Sequence, residues 1–168
     1  MPGKKVAIDN ELPDSEDLGE IDPRVYNQVA RCAKIVSVQL IESNFHILPD
    51  FFQLDESIVL NINFCDVYSS FNDETRFTST MFEFEAFKKG GRRKLFTIKS
   101  NFVVYYYIPS DCDSTHATAF SRKTGLLAAY PYFRSHVANI CAMANANVPI
   151  LPTISSMPVK EKIKKEAV

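Results

Sequence analysis

The chain has no tryptophan and only 5 glycines among its 168 residues. Glycine that scarce leaves nothing resembling a phosphate-cradling loop or a nucleophile elbow, where the backbone must turn sharply at several positions. Cysteine is limited to Cys32, Cys65, Cys112 and Cys141, no two of them near neighbours. That spacing excludes a local zinc knuckle or a redox Cys-x-x-Cys pair and leaves free thiols acting as small core residues. An excess of positive charge is missing as well: at a formal net charge of −1, no basic field steers the chain onto nucleic acid. No apolar run approaches the length of a bilayer span, and Lys4 and Lys5, followed by acidic residues, do not make a secretory leader. The expectation is a soluble cytoplasmic protein with no membrane insertion. Internal repeats and low-complexity tracts do not stand out either.

What is present is an ordinary globular balance, 46% hydrophobic and 23% charged, at a length that suits one domain with a real core. Phenylalanine is abundant, at 13 residues, and lies mostly in extended segments. Residues 1–20 carry Asp9, Glu11, Asp14, Glu16, Asp17 and Glu20 with few apolar anchors, which predicts an acidic flexible arm. Residues 21–158 read as the single domain and 159–168 as a charged C-terminal tail.

Asp22 is a good helix N-cap and Pro23 suits the first helical position, so a helix is expected from there to about residue 35. Val25, Val29, Ala33 and Val36 give it one apolar stripe. The β-branched run through Ile41 converts helix to strand near residue 36, and Pro49 ends that strand. The connection Asp50-Phe51-Phe52-Gln53-Leu54 carries too much apolar weight for a plain loop. Leu60, Ile62 and Phe64 alternate with Asn61 and Asn63, and Phe82, Phe84 and Ala86 alternate with Glu83 and Glu85, as half-buried strands do. Lys88 to Arg93 read as a hairpin turn whose Gly90 and Gly91 are free to take positive φ.

The fourth strand contains Phe102-Val103-Val104-Tyr105-Tyr106-Tyr107-Ile108. Successive strand residues point to opposite faces, so this strand is apolar on both. The protein's own helices cover one face; the other, with Tyr105 and Tyr107, calls for a partner. After a short helical or irregular stretch from Ser114 to about Gly125, a main helix is expected over Tyr130–Asn147, with Pro131 near its start. Ala138, Ala142 and Ala146 are small enough there to admit a neighbouring helix. Proline at 149 takes Val148–Pro152 out of the helix. The sum is an α+β domain, a four-stranded antiparallel sheet with helices packed on one face.

Three chemical readings compete with a plain scaffold. Asp111-Cys112-Asp113 with His116 invites a metal, although Asp113 or Ser114 can simply cap a helix. His46, His116 and His136 with the cysteines invite a Cys–His nucleophilic site, so a small-ligand-binding or catalytic α+β domain is one alternative. Lys88, Lys89, Arg92 and Arg93 invite phosphate, making a weak single-stranded nucleic-acid binder another. A basic hairpin tip is more often a solvated turn that discourages edge-to-edge aggregation.

The segment Thr124-Gly125-Leu126-Leu127-Ala128-Ala129-Tyr130-Pro131-Tyr132-Phe133-Arg134 resembles the SecB family, whose members begin their long helix with an aromatic-Pro-Tyr-x-Arg element after four antiparallel strands. The strand pattern and the apolar Val148–Ile154 extend the resemblance over roughly residues 36–158. It implies a chaperone without cofactor or catalysis: a homotetrameric dimer of dimers that holds unfolded client polypeptides. The implied client groove takes Phe51, Phe52 and Leu54 from the first connection, Tyr130, Phe133 and Val137 from the helix start, and Leu151, Ile154 and Met157 from the exit segment. Ala138, Ala142, Ala146, Tyr105 and Tyr107 are the expected oligomer interface. Export-type members dock on the SecA motor through acidic residues, and near the matching place this chain has Lys99. The extra helix before the first strand and the Met157-Pro158-Val159 segment look more like the SecB-like chaperones that accompany toxin–antitoxin systems. The partner is therefore SecA or an antitoxin.

Overall fold

The structure, a computed structural model, describes residues 6–10 (backbone path only), 21–54, 58–109 and 111–154. Strand β1 is Val6–Asn10, helix α1 is Pro23–Cys32 and strand β2 is Lys34–Ile47. A 3-10 turn, Pro49–Gln53, leads on to β3 (Leu60–Asn72), β4 (Phe77–Gly90), β5 (Arg93–Tyr107) and α2 (Ser114–Met143). The sheet order is β1-β3-β4-β5-β2. The four expected strands pair antiparallel. The short β1, inside the acidic stretch, adds a fifth strand parallel to β3, with Val6 opposite Leu60.

Period-two alternation sorts the sheet as expected. Phe64 stands opposite Phe84, and Phe82 opposite Phe102, on the face that α2 covers. The intervening Glu83 and Glu85 meet Lys99 and Lys94 on the outer face. The β4–β5 hairpin turns at Gly91, whose φ of 62° is the left-handed value that glycine takes without a Cβ penalty.

Helix α1 starts where the sequence placed it, with the Asp22 side chain accepting from Arg24 N–H. Helix α2 departs from expectation. It does not begin at Tyr130: Asp113 caps it at Ser114, and Pro131 lies inside a continuous 30-residue helix. Pro131 is exposed, so its missing N–H and ring fall on the solvent side, where packing over-determines the helix around it. The early half packs Ala117, Phe120 and Leu126 on the core and sets a polar layer between them. Ser121 bonds Thr80 at 2.6 Å, Thr80 accepts from Ser69, and Arg122 pairs with Asp66. Gly125 permits the approach: a Cβ there would lie 2.8 Å from the Phe82 ring.

The C-terminal half covers the aromatic core. Phe133 stacks on Phe84 at 5.0 Å and 17°, with Tyr130 and Phe102 against the same ring. The helix ends in a Schellman turn. Asn145 takes φ 50°, Ala146 N–H bonds Cys141 O and Asn145 N–H bonds Ala142 O. The chain then reverses along α2.

Candidate functional site: an open trough and a filled groove flanking one helix

One α-helix is about 10–12 Å wide and strands lie about 4.8 Å apart, so a single helix covers only two or three strands. Helix α2 lies over β3, β4 and β5 and barely reaches β2. The inner face of β2 is left only partly covered, with Val38 and Ile47 against the core. Ile35, Leu40 and Phe45 pair with Tyr106, Phe102 and Ile98, and so point to the helix side. Yet all three are open to solvent, Ile35 at 53%. Two bulges leave Val36 and Ile41 unpaired and exposed as well. The outer face of β2, with Ser37, Gln39, Glu42 and Asn44, is polar. The exposed apolar surface is therefore one-sided.

Helical spacing supplies the opposite wall. His136 reaches β2, its Nε2 2.7 Å from Ser43 Oγ, which in turn lies 3.1 Å from Ser100 Oγ. Residues 132 and 143 fall on the same side of α2 as 136. Tyr132 is exposed and Met143 is 81% exposed. Phe52, 58% exposed, closes the hairpin end, edge-on to the buried Phe51. The result is an apolar trough floored by Ile35, Leu40 and Phe45, walled by Tyr132 and Met143, and bridged once by Ser43–His136. Burial pushes the His136 imidazole below its ordinary pKa, so it is neutral at pH 7. Its Nδ1 has no carboxylate partner among the described residues. The pair thus lacks the orienting acid of a catalytic triad.

The other flank of α2 is already filled. The exit segment 148–154 lies against it, with Leu151 buried. Tyr130 Oη donates to Pro152 O at 2.9 Å and Arg134 Nε to Leu151 O at 2.7 Å. The first and last residues of the Tyr-Pro-Tyr-Phe-Arg element therefore hold the exit segment by its main chain. Burial also pushes the Tyr130 hydroxyl to about 12, so it is a donor at any physiological pH.

The residues expected to line a groove separate accordingly. Phe133, at 0% exposure, and Tyr130, Val137 and Phe51 are core, because α2 turns that face onto the sheet. Phe52 is open, Leu54 and Ile154 are half-buried, and Met157 lies outside the described residues. Of the interface candidates, Ala138 and Ala142 are exposed, whereas Ala146 sits past the helix end and is buried by the Schellman turn. Tyr105 and Tyr107 are half-buried on the outer face, where Tyr107 packs 5.4 Å from Phe77. Neighbouring strands thus shield that face more than a doubly apolar strand suggested. The open residues of β2 were missed as a site; their signal was an apolar strand with too few helices to cover it.

Asp113 and His116 serve as capping groups. Asp113 accepts from the His116 backbone N–H and ring Nδ1–H, and His116 Nε2 accepts from Asp22 N–H, tying both helix starts together. Those bonds from His116 lower the Asp113 pKa. Among the described residues no group of His, Cys, Asp and Glu is placed to hold a metal ion. None of the helices described is long and apolar enough to cross a membrane.

Four antiparallel strands, extended by the short parallel β1 and backed by one long helix and a short one, give a SecB-like fold. No family model and no curated protein matches the sequence. The solved structures that match include the SecB-like chaperone Rv1957 of Mycobacterium tuberculosis, in complex with a ChAD peptide from the Rv1956 HigA1 antitoxin. The match has a TM-score of 0.60 at 20% identity and covers 81% of this chain and 99% of that one. Likeness at this identity is likeness of fold.

Proposed function

We propose that the chain is a SecB-like molecular chaperone, a holdase that keeps non-native polypeptide soluble by binding extended apolar segments in the trough between α2 and β2. One observation carries the reading: Ile35, Leu40, Phe45, Phe52 and Met143 stay exposed along one side of a well-packed domain. Contiguous apolar surface of this kind marks a site for another chain. Met and Phe suit varied clients because they adapt to many side-chain shapes. Each client side chain buried contributes about 1.5–3 kcal/mol at most, so affinity comes from several contacts along an extended segment.

That the structural neighbour was solved with an antitoxin peptide supports an antitoxin as the client in preference to a secretory precursor. Lys99, a basic residue on the outer face near the place where export-type members present acidic ones, supports the same choice. Assembly into a dimer of dimers in the cytoplasm, through Ala138, Ala142, Tyr105 and Tyr107, completes the proposal. The test is light scattering of a chemically unfolded, slowly refolding protein diluted into this one. Wild type suppresses the signal, and Leu40→Asp or Phe45→Asp, at exposed positions, abolishes suppression without unfolding the chaperone. Equal suppression by wild type and both variants would remove the trough from consideration.

A further inference from the structure

Residues 148–154 repeat in threes. Val148, Leu151 and Ile154 pack against the core, Ile150 and Thr153 point outward, and Pro149 and Pro152 fall between. A three-residue period is that of the polyproline-II helix, which has no internal hydrogen bonds and a main chain free for recognition. Here the main chain is recognised at its carbonyls: Leu151 O by Arg134 and Pro152 O by Tyr130. The N–H groups of Ile150, Leu151 and Thr153 make no hydrogen bond among the described residues. A site that reads only carbonyls accepts proline, which has no N–H, whereas a strand added to a sheet edge would reject it.

The seat is also incompletely filled. A cavity of about 190 Å³ remains between the segment and α2, lined in part by Val137, Ala138, Cys141, Ala142 and Leu151. A guest bulkier than leucine at that place would gain contacts the resident segment does not make.

We propose that this flank of α2 is a second polypeptide-binding site, selective for proline-containing polyproline-II segments with an apolar residue every third position, and that Val148–Ile154 is its built-in occupant. Resting on the chaperone reading, the inference makes the exit segment a competitor that a client must displace. Tyr130 and Arg134 are the residues that grip either chain. Because the site is occupied at rest, apparent affinity is the intrinsic affinity multiplied by the fraction of molecules in which the segment is unseated.

The probe is a fluorescein-labelled peptide copying residues 146–156 with Leu151→Phe, titrated into the full chain by anisotropy. Loosening the resident segment with Leu151→Ser should tighten peptide binding about tenfold. Adding Arg134→Met to that variant should reverse the gain by about tenfold, the worth of one good hydrogen bond to a charged donor. An unchanged or weaker affinity in Leu151→Ser overturns the proposal. Should that variant not fold, side-chain methyl resonances of wild type decide: saturating peptide must move the Leu151 and Ile154 methyl signals toward their unpacked positions, and unmoved signals overturn the proposal equally. A chain that suppresses aggregation yet ignores the peptide loses this inference alone. One that binds neither loses both readings.

Discussion

Phe133 and Phe52 are both aromatic residues, one inside the core and one on its rim, and truncating each to alanine should have opposite consequences. Phe133 is fully buried and stacked on Phe84, so Phe133→Ala removes a whole ring from the core. The expected loss is about 3–5 kcal/mol, transfer and cavity costs together. Phe52 is mostly exposed and touches Phe51 only edge-on, so Phe52→Ala should cost under about 1 kcal/mol. Urea unfolding at fixed protein concentration measures both. With a slope of about 2 kcal/mol per molar, the Phe133 variant's midpoint falls by about 1.5–2.5 M, while the Phe52 variant's barely moves. Client suppression, measured where both variants are folded, should weaken only for Phe52→Ala. A Phe133→Ala midpoint within about 0.5 M of wild type would refute the core placement and return that ring to an open groove.

Pro131→Ala should stabilise the protein by about 1–3 kcal/mol, since it restores a hydrogen bond inside α2 on an exposed face; a lower melting temperature would mean the helix needs its proline. Asp66→Asn leaves the part-buried Arg122 without its carboxylate and should cost about 3 kcal/mol in thermal or urea unfolding, whereas a neutral result would show the pair to be dispensable. His136 binds a proton less readily folded than unfolded, so its share of stability is complete above the unfolded pKa of about 6.5 and is lost as pH falls through the lower folded value. His136→Gln should therefore flatten the decline in urea midpoint between about pH 7 and about pH 5; an unchanged slope would exclude His136 as its source. Gly125→Val, pressed against Phe82, should destabilise by about 1–3 kcal/mol, and full stability would show that the ring can move aside.

Where local chemistry decides an element, the sequence was sufficient. Asp22-Pro23 marked the start of α1, Gly90-Gly91 the hairpin, and the alternation of Phe82 and Phe84 with Glu83 and Glu85 the two faces of β4. Where a long-range partner decides, it was not. The early half of α2 interrupts its apolar row, Ala117, Phe120 and Leu126, with Ser121 and Arg122, which pack on hydroxyls and a carboxylate, so no continuous stripe announces the helix. Pro131, sound as a start signal in isolation, is tolerated mid-helix because the core holds both sides of it. The groove residues fared similarly: Tyr130, Phe133 and Val137 form one helical face, but periodicity does not say whether a sheet or a client will cover it. Arg134, whose charge alone names no partner, grips a carbonyl of the exit segment. The five residues of β1 pair in parallel across a long crossover, which no local pattern announces.

The two edges of the sheet are unequal. β2 offers one margin of fourteen residues, whereas the opposite margin is stepped, five residues of β1 followed by the part of β3 beyond Phe64. Head-to-tail stacking of copies would have to join a continuous margin to a stepped one and leave rungs of the ladder unmatched. Joining two long margins matches far more rungs and consumes both. A second copy set against β2 would cover the edge that carries the exposed Val36 and Ile41, the kind of edge that otherwise invites a fibre.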